Sequence, residues 1–137
     1  MSQYAKIKTT IKDENCLIES LLELFQLNDK GSIEVYDAPE NLYDYMGKIR
    51  PQKANIIIRH KTVGPASNDM GFLRNPDGTF TLIVDNYSQS SLKYGFKWQG
   101  KLLQKYAEKL LLKEQKKRNR ATTVTKVKSG ILLDIAV

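Results

Sequence analysis

Two aspartates, Asp69 and Asp85, bracket the part of this chain with the clearest strand pattern, and they are the first candidates for chemistry. If the intervening strands pair as a hairpin, the two carboxylates face each other. Burial or proximity can then shift their pKa values far enough for acid–base or metal chemistry. Aspartate is also common at turns and strand ends, so a purely structural role stays open. A magnesium site needs further oxygen ligands, and the sequence offers none at a fixed spacing from this pair.

The single histidine and the single cysteine offer less chemistry. His60 stands between Arg59 and Lys61, where it can act as a general base, contact a phosphate or simply end a strand at the surface. Cys16 has no histidine near it in sequence to activate a thiolate, which favours a structural thiol. One cysteine and one histidine build neither a zinc site nor an internal disulfide, so we expect no structural metal and no cofactor. The glycine spacing of phosphate-binding loops is also missing, which gives no support for nucleotide hydrolysis.

A row of basic side chains near the C-terminal end is the strongest functional pattern. These residues recur every three or four positions and therefore share one face of a helix. The candidates for binding an anion or a partner are Lys105, Lys109, Lys113, Lys116, Lys117 and Arg120. Such a face can neutralise several phosphates, with binding that depends strongly on salt. It can equally be a solvated face on which like charges are tolerated.

Aromatic residues precede this basic row. Tyr94 and Trp98 are candidates for stacking on nucleic-acid bases, provided that their rings are exposed near the basic face. Aromatic residues that flank a helix also commonly belong to the core, and the sequence leaves both interpretations open.

The elements that must position these residues begin with a strand over residues 4–12, predicted from alternating β-branched residues. Asp13 is then predicted to cap an amphipathic helix that ends near residues 28–31. Residues 32–36 are strand-like. Residues 37–51 are polar and tyrosine-rich with a proline near each end, and they are predicted to form a surface loop that can contain one helical turn.

The middle of the chain carries the clearest strand signals. Residues 54–59 form an apolar run typical of a strand that is covered on both faces, and we expect it to lie centrally in a sheet. Residues 70–73 and 79–85 are predicted to pair as a hairpin. The connecting sequence Asn-Pro-Asp-Gly at residues 75–78 presets the turn with proline and leaves the glycine free to take a positive φ.

A long helix dominates the C-terminal third. Residues 86–100 can be a loop or a short strand, and residues 99–120 are predicted to be helical because strong helix formers follow one another without proline. Residues 122–128 and 131–137 are predicted to form a closing hairpin. The fold class is therefore a single α+β domain over residues 1–137. Its mostly antiparallel sheet follows the order strand, helix, strands, hairpin, long helix, hairpin, with two helices packed on it.

Composition and charge agree with a folded, basic domain. Hydrophobic residues make up 41% and charged residues 27% of the 137 residues, which favours a globular chain over a disordered one. The net charge of +7 comes mainly from residues 101–137, which carry ten basic and three acidic side chains. This asymmetry indicates a surface that attracts an anionic partner. No apolar run reaches the length of a membrane span and no signal peptide is evident, so we expect a cytoplasmic protein without membrane association.

Several segments together resemble a known family. They are YAKIKTTIKDENCLIESLLEL near the start, ANIIIRH, DMGFLRNPDGTFTLIVDNY and, near the end, LLQKYAEKLLLKEQ followed by SGILLDIAV. Their order resembles the hypothetical chloroplast reading frame thirty-five family, which has plastid, cyanobacterial, bacterial and phage members. The resemblance implies an α+β fold without an assigned activity. Because members are often encoded near ATPases of the AAA class, it also implies a protein partner of that class.

The sequence therefore predicts a non-enzymatic accessory module that binds a macromolecular partner, most simply a protein. The alternative is a nucleic-acid or anionic-ligand (nucleotide) binding protein that uses the basic helix, for example a phage accessory factor. An enzyme that uses Asp69 and Asp85 is a third and weaker hypothesis. The apolar residues 131–137 need covering, which makes a homo-oligomer a further expectation.

Overall fold

In a computed structural model the chain forms an α+β fold, and the structure describes residues 3–64, 66–85 and 94–128. The strands are β1 (Tyr4–Lys8), β2 (Glu34–Tyr43), β3 (Ile49–Ile58), β4 (Met70–Arg74) and β5 (Phe80–Asp85). The helices are α1 (Glu14–Leu24), α2 (His60–Val63) and α3 (Phe96–Lys128), with a short 3-10 turn at Lys30–Ser32. The strands form one antiparallel sheet in the order β1-β5-β4-β3-β2. The predicted fold class is confirmed.

Helix α1 begins where the sequence indicates. The side chain of Asp13 accepts a hydrogen bond from the backbone N–H of Cys16 at 3.0 Å, as an N-cap does. Glu14 occupies the first turn, where a negative charge interacts favourably with the helix dipole. Leu17 and Leu21, one turn apart, are fully buried against the sheet. The predicted cap and apolar face are both confirmed.

The β4–β5 hairpin is also confirmed. The backbone N–H of Asn75 donates to the carbonyl of Thr79 at 2.7 Å, which closes the turn. Gly78 takes a φ of +88°, a value that glycine adopts without the steric penalty of a Cβ atom. The sequence predicts this connection correctly because residues 75–78, which are consecutive, determine the turn by themselves.

The prediction of a surface loop over residues 37–51 is wrong. Most of this segment lies in β2 and β3, which form a second hairpin with its turn at residues 44–48. The ladder is interrupted between Val35 and Glu40, and there the side-chain amide of Asn55 donates to the carbonyls of Tyr36 and Asp37. β2 is an edge strand, where polar residues and a proline are tolerated because one side of the backbone needs no strand partner.

The predicted strand over residues 122–128 is likewise wrong, because α3 continues through Lys128. It also begins earlier than predicted, at Phe96, so residues 96–100 are helical rather than loop or strand. Once strong helix formers have nucleated a helix, each further residue adds one backbone hydrogen bond. This gain outweighs the strand preference of the few β-branched residues at 122–125. The predicted strand at residues 131–137 and the segment 86–93 lie outside the described residues.

The core occupies both faces of the sheet. On one face α1 and α3 cover a cluster that includes Phe72, Phe80 and Leu82. On the other face Leu42, Ala54, Ile57 and Ile83 form a smaller buried cluster. The expectation that the strand at residues 54–59 is covered on both faces is confirmed, although β4 rather than β3 lies at the centre of the sheet. None of the helices in the described ranges is both long and apolar enough to cross a membrane.

Candidate functional site

The predicted basic face of α3 lies beside α1, which runs antiparallel to it. Lys109 Nζ is 2.7 Å from Glu23 Oε1, and Lys105 Nζ is 3.3 Å from the other oxygen of Glu23. Lys113 pairs with Asp13 at the opposite end of α1. Hydrogen bonds from these lysines lower the pKa of both Asp13 and Glu23. Three of the six predicted binding residues therefore pair with acidic residues of the same chain.

The other basic candidates lie further along α3. Lys116 and Lys117 are exposed, as is the neighbouring Arg118. Lys116 lines a cleft between the helices together with Glu19. Arg120 belongs to α3, but its side chain is outside the described part of the chain. Among the candidates whose side chains the structure describes, Lys116 and Lys117 therefore keep their charge available to a partner.

The two aromatic candidates lie against the core. Tyr94 is buried and its hydroxyl donates to the carbonyl of Val63 at 2.5 Å. Burial raises the pKa of Tyr94 to about 12. The Trp98 ring lies 5.1 Å from the Tyr94 ring and 5.8 Å from the Phe25 ring, centroid to centroid. Both rings therefore help to hold the start of α3 on the end of α1, and Tyr94 presents no open face for a base.

The carboxylate of Asp69 is fully buried, and both of its oxygens accept hydrogen bonds. One oxygen, Oδ2, accepts from Arg59 Nη1 at 2.7 Å and from the backbone N–H of Tyr43 at 2.8 Å. The other oxygen accepts from the backbone N–H of His60 at 2.7 Å, and His60 Nδ1 lies 3.4 Å away from it. Arg59 also pairs with Glu34, which lowers the pKa of that glutamate. This arrangement ties three segments of chain together.

Asp85 lies near Asp69, at the same end of the sheet, as the hairpin predicts. It is buried and accepts a hydrogen bond from the backbone N–H of Asn68 at 3.1 Å. Tyr4 pairs with Asp85 in the β1–β5 ladder, and its hydroxyl donates to the backbone carbonyl of Asp69 at 2.7 Å. Burial, reinforced by the negative charge of Asp69, raises the pKa of Tyr4. Within the described ranges, no three His, Cys, Asp or Glu side chains are placed to hold a metal ion together.

Beside this buried cluster, the turn of the β2–β3 hairpin presents large apolar side chains to solvent. The exposed fraction is 53% for Tyr45, 76% for Met46 and 68% for Ile49, and Tyr43 is also exposed. We call these four residues the hairpin tip. The Arg59 guanidinium lies 4.7 Å from the centre of the Tyr43 ring, so the tip adjoins the Asp69 cluster directly.

The backbone of the hairpin tip is fixed by three polar side chains that are themselves buried. Asp69 accepts from the N–H of Tyr43, and Asn68 Oδ1 accepts from the N–H of Tyr45 at 3.1 Å. Asp44 Oδ1 accepts from the N–H of Met46 at 2.9 Å and from that of Lys48 at 2.8 Å. The exposed side chains are therefore carried on a constrained turn.

Sequence reasoning missed the hairpin tip because it assigned the whole segment to a loop. A usable signal was present. Met46-Gly47 sits between two tyrosine- and isoleucine-containing runs, and a short glycine-containing connection between such runs predicts a hairpin. The φ of +82° at Gly47 agrees with that interpretation.

Comparison with known proteins gives one family. No curated protein and no solved structure matches the chain. A family model described as "Protein of unknown function (DUF1257)" matches residues 27–130, a range that contains β2 to β5, α2 and all of α3. Since this range is most of the chain and includes the hairpin tip, the protein belongs to the DUF1257 family.

Proposed function

We propose that this protein is a non-enzymatic accessory module that binds a protein partner through the hairpin tip. The observation that carries the proposal is the exposure of Tyr45, Met46 and Ile49 together on one turn. Tyrosine and methionine are enriched in the cores of protein interfaces, and contiguous exposed apolar side chains commonly mark such sites.

The rigidity of the turn supports the same function. Because Asp44, Asn68 and Asp69 already hold the tip backbone, little further ordering of the main chain accompanies binding. A preorganised surface retains more of its interaction free energy as affinity. Asp69 and Asp85 then have a structural role, and their buried, hydrogen-bonded carboxylates support the tip rather than a reaction.

The resemblance to the chloroplast reading frame thirty-five family suggests which class of protein the partner belongs to. We propose that the chain belongs to that family on the segments that resemble it, among them the one that forms β1 and α1 and the one that forms the β4–β5 hairpin. An ATPase of the AAA class is then the first partner to test.

The proposal is tested by changing the apolar tip without changing its hydrogen bonds. The double variant Met46→Asp/Ile49→Asp is expected to weaken capture of an AAA-class ATPase from the same genome by at least about thirtyfold, the effect of losing one interface hot spot. Leu112→Asp, at an exposed apolar position on α3, is the matched control and retains capture. Biolayer interferometry measures the affinity for the ATPase, and thermal unfolding of each variant verifies that it is folded. Equal capture by wild type and tip variant contradicts the proposal, as does turnover of a substrate by the purified protein.

A second candidate function is binding of nucleic acid or another polyanion along distal α3. Exposed Lys116, Lys117 and Arg118 favour it. A mobility-shift titration at two salt concentrations tests it. Lys116→Glu/Lys117→Glu is expected to reduce the slope of log K against log salt by about 0.9 for each phosphate that the helix no longer neutralises. Lys53→Glu, at an exposed position on β3, serves as the control, and no binding at low salt contradicts this function.

A further inference from the structure

Helix α3 carries an exposed apolar stripe that is separate from the hairpin tip. Its large members are Phe96, with an exposed fraction of 87%, Leu103 with 44% and Leu111 with 54%. Gly100 and Ala107 lie between them and are also exposed. The five positions are spaced by three or four residues, which places them on one side of the helix. We call these five residues the α3 stripe.

The α3 stripe alternates large and small residues. Phe96, Leu103 and Leu111 project, whereas Gly100 and Ala107 leave recesses between them. A Cβ atom placed on Gly100 would meet no heavy atom within 4 Å in the described structure, so this recess is open. Projections and recesses of this size allow two helices to approach closely and interdigitate.

The apolar surface continues from the stripe toward the edge of the sheet. A groove of about 180 Å³ lies between β1 and α3, and Ile7, Leu82, Leu102 and Leu103 provide its apolar lining. Leu103 belongs to both the groove and the stripe. The exposed apolar area is therefore wider than a single helical row.

We propose that the α3 stripe is the interface with a second copy of this chain, packed antiparallel about a twofold axis near Leu103. When the second helix runs in the opposite direction, large and small residues of the two stripes face each other in a complementary order. Phe96 then lies opposite Leu111 of the second copy, and Gly100 lies opposite its Ala107. Leu103 meets its own counterpart. A surface that is complementary to itself under a twofold rotation is the requirement for an isologous dimer.

The charges beside the stripe favour the same arrangement. Lys97, Lys101 and Glu108 are exposed and flank one side of it. In the antiparallel pair, Glu108 of the second copy lies between Lys97 and Lys101, and the symmetry repeats this contact. In a parallel twofold pair, this flank of the second copy would lie on the opposite side of the interface, so Lys97 and Lys101 could not contact its Glu108. Glu108 can make this contact because its ion pair within the chain is a weak surface pair. The partner is Lys105, one turn away on the same helix at 3.6 Å.

Charge reversal in the full-length protein tests the pairing. Lys101→Glu and Glu108→Lys are each expected to raise the dimer dissociation constant about tenfold, equivalent to about 1.4 kcal/mol, and the double variant to restore it to within about threefold. Sedimentation equilibrium over a concentration series measures the constants. Circular dichroism verifies that each variant is folded. A wild-type chain that stays monomeric at the highest concentration overturns the proposal, as does a double variant no tighter than the single variants.

Cysteine crosslinking tests the position of the twofold axis. Leu103→Cys places two thiols near the axis, within reach of a disulfide, and mild oxidation is expected to yield covalent dimer. Leu112→Cys is an equally exposed control on the same helix, but far from its own counterpart in the antiparallel pair. The native Cys16 is buried. Crosslinking of Leu103→Cys no faster than that of Leu112→Cys overturns the arrangement. Because none of these substitutions touches the hairpin tip, the result is independent of partner capture.

Discussion

At the scale of single residues, Asp69 links the sheet to the hairpin tip. Its side chain accepts from Arg59 and from the backbone N–H groups of Tyr43 and His60, while its own N–H donates to the Tyr43 carbonyl at 2.9 Å. Tyr4 completes the cluster by donating to the Asp69 carbonyl. A buried carboxylate of this kind is tolerated because each oxygen is hydrogen-bonded and a guanidinium balances its charge.

Asp69→Asn is expected to destabilise the protein by about 3 kcal/mol, because Arg59 loses its buried counter-charge and an amide NH2 replaces an acceptor that faces N–H donors. Urea denaturation, monitored by tryptophan fluorescence, measures the free energy of unfolding. Glu40→Gln removes an exposed carboxylate from β2 and serves as the control, with little expected change. A loss below about 1 kcal/mol for Asp69→Asn would mean that the hydrogen bonds of Asp69 do not contribute substantially to stability.

Stability is expected to fall in acid because Asp13, Glu23 and Glu34 all have lowered pKa values in the folded chain. A group with a depressed folded pKa stabilises the fold at pH values above its unfolded pKa, which is about 4. That contribution is lost as the pH falls through the lower, folded value. Thermal unfolding between pH 2 and pH 7 should therefore show a steep decline below about pH 4.

Asp13→Asn isolates one part of this decline. Asparagine retains an N-cap oxygen for the Cys16 N–H but cannot form the ion pair with Lys113. The variant is expected to show a shallower fall of unfolding temperature in acid than the wild type. An unchanged pH profile would mean that the Asp13–Lys113 pair does not contribute to stability in solution.

At the scale of elements, the two hairpins explain which parts of the fold a sequence can predict. The β4–β5 turn depends on four consecutive residues, 75–78, and was predicted correctly. The β2–β3 hairpin depends on a bulge held by Asn55, which lies 18 or 19 residues from the carbonyls it binds. Local propensity carries no information about that side-chain contact, so the polar, proline-containing segment resembles a loop even though Met46-Gly47 marks its turn.

The same distinction applies to the candidate sites. Helical spacing correctly placed Lys105, Lys109 and Lys113 together on one face of α3. It could not show that Glu23 and Asp13 meet these lysines, since the hydrogen-bonded partners are separated by 86 and 100 residues. Charge patterns along a sequence therefore overestimate the charge that a surface offers to a partner.

Close packing between strands gives a further prediction. A Cβ atom added to Gly71 in β4 would lie 2.4 Å from the Cβ of Ala54 in β3, so Gly71→Ala forces the backbones apart. We expect a loss of about 1–3 kcal/mol. Gly100→Ala is the matched control, because its new methyl group enters open space on a helix and should stabilise the monomer by about 0.5–1 kcal/mol. Urea denaturation at low protein concentration measures both, and equal effects would contradict the packing described for Gly71.

At the scale of the whole molecule, the family match and the structural unit have different boundaries. The matched range begins at residue 27, after β1 and α1. β1 pairs with β5 along one edge of the sheet, and α1 buries Leu17 and Leu21 against the core. α1 also provides Asp13 and Glu23, the acidic partners of the lysines on α3. The first 26 residues therefore complete the sheet edge, the core and the charge balance of the long helix.

A fragment that contains residues 27–137 is accordingly expected not to fold. Each fully buried leucine contributes about 1.5–3 kcal/mol, so losing Leu17 and Leu21 together with Ile11 removes an amount comparable to the whole stability of a typical domain. Near-ultraviolet circular dichroism and an amide NMR spectrum test this expectation. A peptide of residues 1–26 added in trans should restore native signals, whereas the same peptide with Leu17→Asp and Leu21→Asp should not. Cooperative thermal unfolding of the fragment alone would mean that residues 27–137 form a domain without β1 and α1.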